Sequence, residues 1–307
     1  MNILLTNTGR RTYFIEYMLN LKINNLKIFI TDTNKNVPTF FISKKIKKIL
    51  TIGSKKKDYI NQIIQIVKRN KIDVVIPLSD HDVKSLSNLK KKNIFPNTKF
   101  IVSEENVINI CLNKIKTNHF LKINNIPYAP IYKKLTNSVK FPLILKKIEG
   151  SRSDDQKIIN SKNDLTKFSK KFFLQKFIKG REFNVDILND LKGNFVSCSV
   201  KEKILMRAGE TDRCKIVFSS KFLEFSKKLS KCLRHIGNID VDLIVKNDRI
   251  FVIDINPRFG GGYPATHESG LNYIKFLILA AQNIKFRLPI INKSKIVMSK
   301  GISIYIS

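Results

Sequence analysis

The chain of 307 residues is 43% hydrophobic and 26% charged, ordinary globular usage that excludes wholesale disorder and allows one or two domains with a core that needs no disulfide staples. Its four cysteines (Cys111, Cys198, Cys214, Cys232) form no CxxC pair and its four histidines no HxxxH pair, which excludes a sequence-local zinc ribbon and a CxxC redox motif. The formal net charge of +33 rests mainly on lysines spread from end to end beside abundant Asn and Ile. It therefore reads as compositional drift carried on solvated faces rather than as a specific nucleic-acid surface, and it favours anionic small molecules such as nucleotides.

The start, MNILLTNTGRR, lacks the apolar stretch of a signal peptide, and the apolar run Phe276 to Ala281 is too short to span a bilayer. A cytoplasmic protein without membrane attachment is expected. Asn2 to Asn7 reads as a strand, Thr12 to Leu21 as a helix and Leu26 to Thr31 as a second strand closed by Asp32. Ile60, Ile63, Ile64 and Val67 form the stripe of an amphipathic helix over 58–69. Asp73 to Leu78 reads as a buried strand and Val83 to Lys91 as a helix. Strands alternating with helices argue for a parallel α/β sheet, Rossmann-like but without GxGxxG.

The character changes near Glu104. Asn106 to Asn124 reads as one helix, and the prolines of 126–130 as a break. Strands are then expected at Pro142 to Lys147, Phe172 to Ile178, Glu182 to Leu188 and Asn194 to Lys201. A helix over Ser220 to His235 stops at Gly237, and two strands follow, Asp240 to Lys246 and Arg249 to Ile255.

That last pair, DVDLIVKNDRIFVIDINPRFGGG, is the most informative stretch. With the turn centred at Asp248, Asp242 and Asp254 face each other across an antiparallel pair. Alternation puts Asp242, Asp254 and Asn256 on one face and Val241, Leu243, Val245, Phe251, Ile253 and Ile255 on the core face. Like charges directly opposite in a ladder repel. A bound cation would offset the repulsion, and these hard oxygen donors suit Mg²⁺ or Mn²⁺; a solvated polar sheet face is the plainer reading. Arg258 follows at once, a cation suited to phosphate, and Gly260 to Gly262 make either a close-approach loop or a plain turn. Upstream, strand residue Lys146 precedes the Gly150-Ser151-Arg152-Ser153 loop, one way to hold a triphosphate.

Taken in order, these pieces resemble the ATP-grasp superfamily, and within it the branch like the large subunit of carbamoyl-phosphate synthase. The likeness runs over nearly the whole chain, from TNTGRR, Thr31-Asp32 and IPLSDHD to IDINPRFGGGYP, the most specific motif. It implies an α/β chain: a Rossmann-like pre-ATP-grasp domain over 1–105, then an α+β ATP-grasp fold over 106–307 whose two subdomains clasp ATP, with a lid at about 126–181. Carried over residue by residue, it implies that Lys114 and Lys146 reach the nucleotide phosphates. Gln175, Phe177 and Ile178 would hold adenine, and Glu182 the ribose. Asp242, Asp254 and Asn256 would hold Mg²⁺ or Mn²⁺. Arg258 would lie near the transferred phosphate and Arg207 near the substrate. Asp254 stands where the family usually has Glu, and the loop GSRSDD lacks a second glycine.

The activity so implied is ATP-dependent joining of a small-molecule carboxylate to an amine through an acyl phosphate. The resemblance leaves room for a homodimer. One rival is phosphorylation of bicarbonate or carbamate, as in carbamoyl-phosphate synthase; the chain shows neither that enzyme's second copy nor its glutaminase partner. A basic nucleic-acid-binding protein is the rival of another class, and it predicts clustered basic and aromatic residues where the lysines are dispersed. A nucleotide-binding regulator without turnover is disfavoured by the retained acidic trio.

Overall fold

In the computed structural model, which describes residues 1–132, 139–150, 156–164, 169–207, 209–291 and 296–306, the N-terminal third is built on a five-stranded parallel sheet. Its strands are β1 (Asn2–Thr6), β2 (Lys27–Asp32), β3 (Lys47–Leu50), β4 (Val74–Pro77) and β5 (Lys99–Phe100), in the order β3-β2-β1-β4-β5. The inner strands are continuous apolar runs because both faces are covered. Ile3, Leu5, Ile30 and Ile76 pack with Phe14, Ile15 and Met18 of α1 (Thr12–Leu19). Leu4, Phe29 and Val75 pack the opposite way, against α2 (Tyr59–Arg69) and α3 (Asp80–Lys91). The expected stripe of α2 is rotated slightly: Tyr59, Ile63, Ile66 and Val67 are buried, while Ile60 and Ile64 are only partly so.

The region expected as one helix is two, α4 (Glu105–Leu112) and α5 (Lys114–Ile123). Asn113 separates them in an extended conformation (φ −114°, ψ 106°), and its Oδ1 accepts from the N–H groups of Ile115 and Lys116, both at 3.1 Å. Asn113 thus competes with the backbone and ends one helix while capping the next. The cap fixes Lys114 as the first residue of α5.

A small antiparallel sheet follows, in the order β6-β9-β7-β8, from β6 (Ile131–Tyr132), β7 (Leu143–Lys147), β8 (Lys157–Ile159) and β9 (Phe172–Lys176). Residues 151–155 of the loop read as phosphate-binding lie outside the described residues. The six-stranded antiparallel sheet has the order β14-β13-β10-β11-β12-β15. Its strands are β10 (Arg181–Asn189), β11 (Phe195–Arg207), β12 (Glu210–Val217), β13 (Gly237–Lys246), β14 (Arg249–Asn256) and β15 (Val297–Ser299). One face is apolar: Val185, Ile187, Val241 and Val252 pack against Val107, Phe120 and the Phe222 and Leu229 side of α6 (Ser220–Leu233). The other face is polar and carries the site.

The β13–β14 hairpin corrects the expected register. Asn247 and Asp248 both have positive φ (47° and 57°), and Lys246 pairs with Arg249, so the turn has two central residues. That turn alone would set Asp242 opposite Ile253. A bulge past Leu243 adds one residue to β14 and restores the Asp242–Asp254 pairing. In consequence Ile250 and Val252 enter the core, while Phe251 and Ile253, expected there, do not. Two late helices, α7 (Tyr263–Glu268) and α8 (Tyr273–Ala281), lie against the first sheet: Tyr263, Tyr273, Ile274 and Leu277 join the cluster of Ile3 and Phe14. One core therefore spans the two halves of the chain.

Candidate active site

The polar face of the large sheet opens into two cavities. The first, about 370 Å³, is roofed by the small sheet and lined by Lys146 of β7, Gln175 of β9, Phe177, Ile178, Glu182 of β10, Asp242 and Asp254. Ile144, Leu243 and Ile253 supply apolar walls. The second, about 650 Å³, lies where the first sheet meets the hairpin end, and is lined by Arg10, Arg11, Asp32, Asp80, His81, Glu210 and Arg258. Gly209, in the β11–β12 hairpin, lines both. An apolar groove elsewhere, along Phe195 to Val200, carries none of this chemistry.

Each charged group in the first cavity has a defined setting. Lys146 is 5% exposed, and burial pushes its ammonium down to about 8, against the pull of Asp254. Lys114 Nζ reaches Asp254 Oδ2 at 2.5 Å. Lys203 Nζ lies 2.7 Å from Asp242 Oδ1 and 3.9 Å from Glu182 Oε2. Burial opposes ionisation of Asp242, yet the Lys203 ammonium outweighs it and holds the carboxyl below its usual range.

Asp240, two residues before Asp242 on the same face, is buried deeper. Its carboxyl is raised by burial and then by Asp242, with Arg258 opposing. Asn184 Nδ2 donates to Asp240 Oδ1, and Asn256 Nδ2 donates to Asp240 Oδ2 at 3.2 Å. The amide nitrogen of Asn256 being used, its oxygen remains as a donor to a cation. Two carboxylates facing across the ladder and one amide oxygen make a hard-oxygen set that fits Mg²⁺ or Mn²⁺.

At the second cavity, the two acids of IPLSDHD have different settings. Asp82 is fully buried and accepts from Thr6 Oγ1 and, at 3.3 Å, from Tyr59 Oη, so it ties α3 to β1 and α2. Asp80 lines the cavity and receives Arg258. The loop after β1 is pinned by Asp32, which accepts from the N–H of Gly9 at 2.8 Å. Arg11 Nη1 donates to the Phe259 carbonyl at 2.9 Å, leaving that loop and the hairpin end tied together. Gly260 lies directly on Asp240: an added Cβ would be 2.0 Å from Asp240 Oδ1. The glycine loop's close approach is thus to the protein's own carboxylate.

Of the residues singled out from sequence, Lys146, Gln175, Phe177, Ile178, Glu182, Asp242 and Asp254 line one cavity, and Lys114 touches it through Asp254. Arg258 lines the other cavity, and Asn256 lines neither: it is buried, with its Nδ2 donating to Asp240. Arg207 is not gathered with these: it is half exposed at the hairpin tip, with Nη2 at 3.3 Å from Asp212 Oδ2. Lys203, Asp240 and Asn184 carry no site role in the sequence reading, and the Arg10-Arg11 pair enters it only within the TNTGRR motif. Period-two alternation from Asp242 back to Asp240, and along β11 from Lys201 to Lys203, is the signal that finds two of them.

Residues 111–262 match the ATP-grasp domain family, and residues 3–101 match the PylC-like N-terminal domain. The chain is an ATP-grasp protein with a PylC-like N-terminal domain. It is 25% identical over 240 residues to a carbamoyl-phosphate synthase of Methanobrevibacter smithii, covering 70% of this chain and 65% of the relative. It is 24% identical over 261 residues to a formate-dependent phosphoribosylglycinamide formyltransferase of Prochlorococcus marinus, covering 73% of this chain and 60% of the relative. The chain thus spans less than two thirds of the length of either. It shares its fold with N5-carboxyaminoimidazole ribonucleotide synthetase of Thermotoga maritima, with a TM-score of 0.72 at 20% identity over 94% of this chain and 78% of the other. No helix among the described residues is long and apolar enough to cross a membrane.

Proposed function

We propose that this protein is an ATP-dependent carboxylate–amine ligase. The observation that carries the reading is the course of β14 and its continuation: Asp254 lines the first cavity and Arg258, four residues on, lines the second. A nucleotide in the first would direct its terminal phosphate toward a substrate in the second. Gln175 to Ile178 and the apolar walls form a slot for adenine, and Glu182 is the acceptor for ribose hydroxyls. Lys114 and Lys146 supply cations for the phosphates. A bound Mg²⁺ or Mn²⁺, held by Asp242, Asp254 and Asn256, would neutralise charge on the phosphoryl oxygens.

A carboxylate resists nucleophiles because of its charge. Phosphoryl transfer to one carboxylate oxygen breaks the bond to ADP and leaves an acyl phosphate with a good leaving group. Attack by an amine then forms the amide and expels phosphate. Arg258, buried beside the junction, faces charge that develops on the phosphoryl oxygens. Enclosure by the small sheet protects the acyl phosphate from water.

The test is ADP release from MgATP with a panel of carboxylates, with hydroxylamine in place of the amine. A carboxylate-dependent hydroxamate is the expected product. Nucleotide turnover with bicarbonate alone, and no hydroxamate from any organic acid, would replace this reading by a carbamoyl-phosphate synthase-like one. The similarity to the Methanobrevibacter smithii enzyme favours that second reading.

A further inference from the structure

Both hairpin carboxylates carry an ammonium: Asp254 has Lys114 at 2.5 Å, and Asp242 has Lys203 at 2.7 Å. The pairs are largely withdrawn from water, with side-chain exposures of 12% and 16% for the first and 9% and 30% for the second. Four ammoniums (Lys114, Lys146, Lys176, Lys203) and three carboxylates (Glu182, Asp242, Asp254) are thus gathered around one cavity, and within the two hairpin pairs the formal charges cancel. Lys146 has no hydrogen-bond or ion-pair partner among the described residues, so it is a standing cation. Lys203 is different, because it stands between Glu182 and Asp242 on a flexible four-carbon stem.

The two pairs have an electrostatic consequence. A divalent cation entering alone must displace an ammonium from each carboxylate it approaches. A polyphosphate entering alone meets Lys146 and Lys176, but it gains Lys114 or Lys203 only by leaving a carboxylate bare beside its own negative charge. When both enter, phosphate oxygens take the ammoniums, the cation takes the carboxylates, and every charge keeps a partner.

We propose that Lys203 is a charge-exchange residue: it caps Asp242 while the cavity is empty and moves to a phosphate oxygen when metal and nucleotide enter together. Asp242 is then released to the cation only in the loaded state. The proposal rests on reading the first cavity as a metal–nucleotide site, and it makes Lys203 a nucleotide ligand that also keeps the free metal out.

The experiment measures free Mn²⁺ by electron paramagnetic resonance with the full chain, with and without ADP, in the wild type, Lys203→Met, Lys203→Gln and Lys203→Arg. The wild type should bind Mn²⁺ weakly without nucleotide. Lys203→Met should bind Mn²⁺ about tenfold more tightly without nucleotide, the scale expected when one partly buried ion pair no longer competes. The same variant should bind MnADP about tenfold more weakly, the scale of one lost partly buried charge contact. Lys203→Arg should behave as the wild type without nucleotide. Lys203→Gln repeats the uncapping with a polar side chain, should Lys203→Met fail to fold by circular dichroism. Normal MnADP binding by the wild type, with unchanged nucleotide-free Mn²⁺ binding in both neutral variants, would overturn the exchange alone. Absence of MnADP binding in the wild type would overturn the site reading and the exchange with it.

Discussion

Arg258 donates from Nη2 and Nε to Asp80 Oδ2, at 2.8 and 3.2 Å, across the junction between the parallel sheet's helix α3 and the end of hairpin strand β14. Both side chains are about nine-tenths buried, and Asp240 Oδ2 lies 3.5 Å from Nη1. The guanidinium is therefore aimed by two carboxylates, one at the start of α3 and one on β13. Its orientation at the second cavity depends on how the N-terminal domain sits.

Asp80→Ala should leave that guanidinium with Asp240 as its remaining carboxylate. Removing one partner of a buried pair leaves a charge poorly compensated, and the cost should be about 3 kcal/mol. A urea melt measures it. A midpoint equal to that of the wild type would show that the two sheets are held without this pair.

Lys146 gives a pH dependence of defined sign. Its ammonium is lowered by burial to about 8, from an ordinary 10.5. The unfolded chain thus holds more protons between those values, so this residue's contribution to stability rises with pH there. The penalty of its buried charge is present in full below about 8. Nucleotide binding runs the other way, because phosphate needs the charged form. ADP affinity should fall as pH rises through about 8, with proton uptake on binding. Lys146→Arg stays charged throughout and should lose that limb. Titration calorimetry in two buffers of different ionisation enthalpy reads both effects; equal affinity at pH 7 and pH 9 in the wild type would contradict the assignment.

Much of the fold can be read from the chain because parallel strands buried on both faces are unbroken apolar runs, as in Ile3 to Leu5 and Val74 to Ile76. Strand β12 is not legible in the sequence for the opposite reason. Its ETDRCKIV buries Asp212 beside Thr211, so polarity there marks a strand where it usually marks a loop. The expected pairing of Asp242 with Asp254 holds because two departures from a regular hairpin cancel: a two-residue turn and a bulge in β14. Bulges answer to packing across the sheet, which no local pattern reports. Lys203 stayed hidden because β11 runs on past Lys201 into a stretch with exposed Ile204 to Arg207, which lacks a burial signature.

Gly260 is a sharp test of how the loop sits on the polar face. A Cβ there would lie 2.0 Å from Asp240 Oδ1 and 2.2 Å from its Cγ. That carboxylate is held by Asn184 and Asn256, so it cannot swing aside cheaply. Gly260→Ala should cost about 1–3 kcal/mol through forced shifts. Gly53, where an added Cβ meets nothing within 4 Å, is the control, and Gly53→Ala should stay within about 0.5 kcal/mol. Equal thermal midpoints for the two variants would refute the contact.

Lys201 and Asp186 form an ion pair with no exposed side-chain surface, directly beneath the glycine loop. The network is closed: Thr266 Oγ1 donates to Asp186 Oδ2 at 2.6 Å, Lys201 Nζ donates to Thr266 Oγ1 at 3.2 Å, and Asn238 Nδ2 donates to Asp186 Oδ1 at 3.1 Å. Through Thr266 it ties α7 to strands β10, β11 and β13. Lys201→Met strands the Asp186 carboxylate in the interior, which should cost about 3–5 kcal/mol. Adding Asp186→Leu removes the stranded charge, so the double variant should recover part of that loss. The surface pair Lys221–Asp248 at 2.6 Å, with exposures of 40% and 93%, should show a coupling below about 1 kcal/mol by the same double-mutant cycle. Salt should weaken the surface coupling and leave the buried one nearly unchanged, because screening acts on charges that water reaches. A buried coupling near zero, or one that fades in salt as the surface pair does, would mean that Lys201 and Asp186 are reached by water and do not anchor the loop.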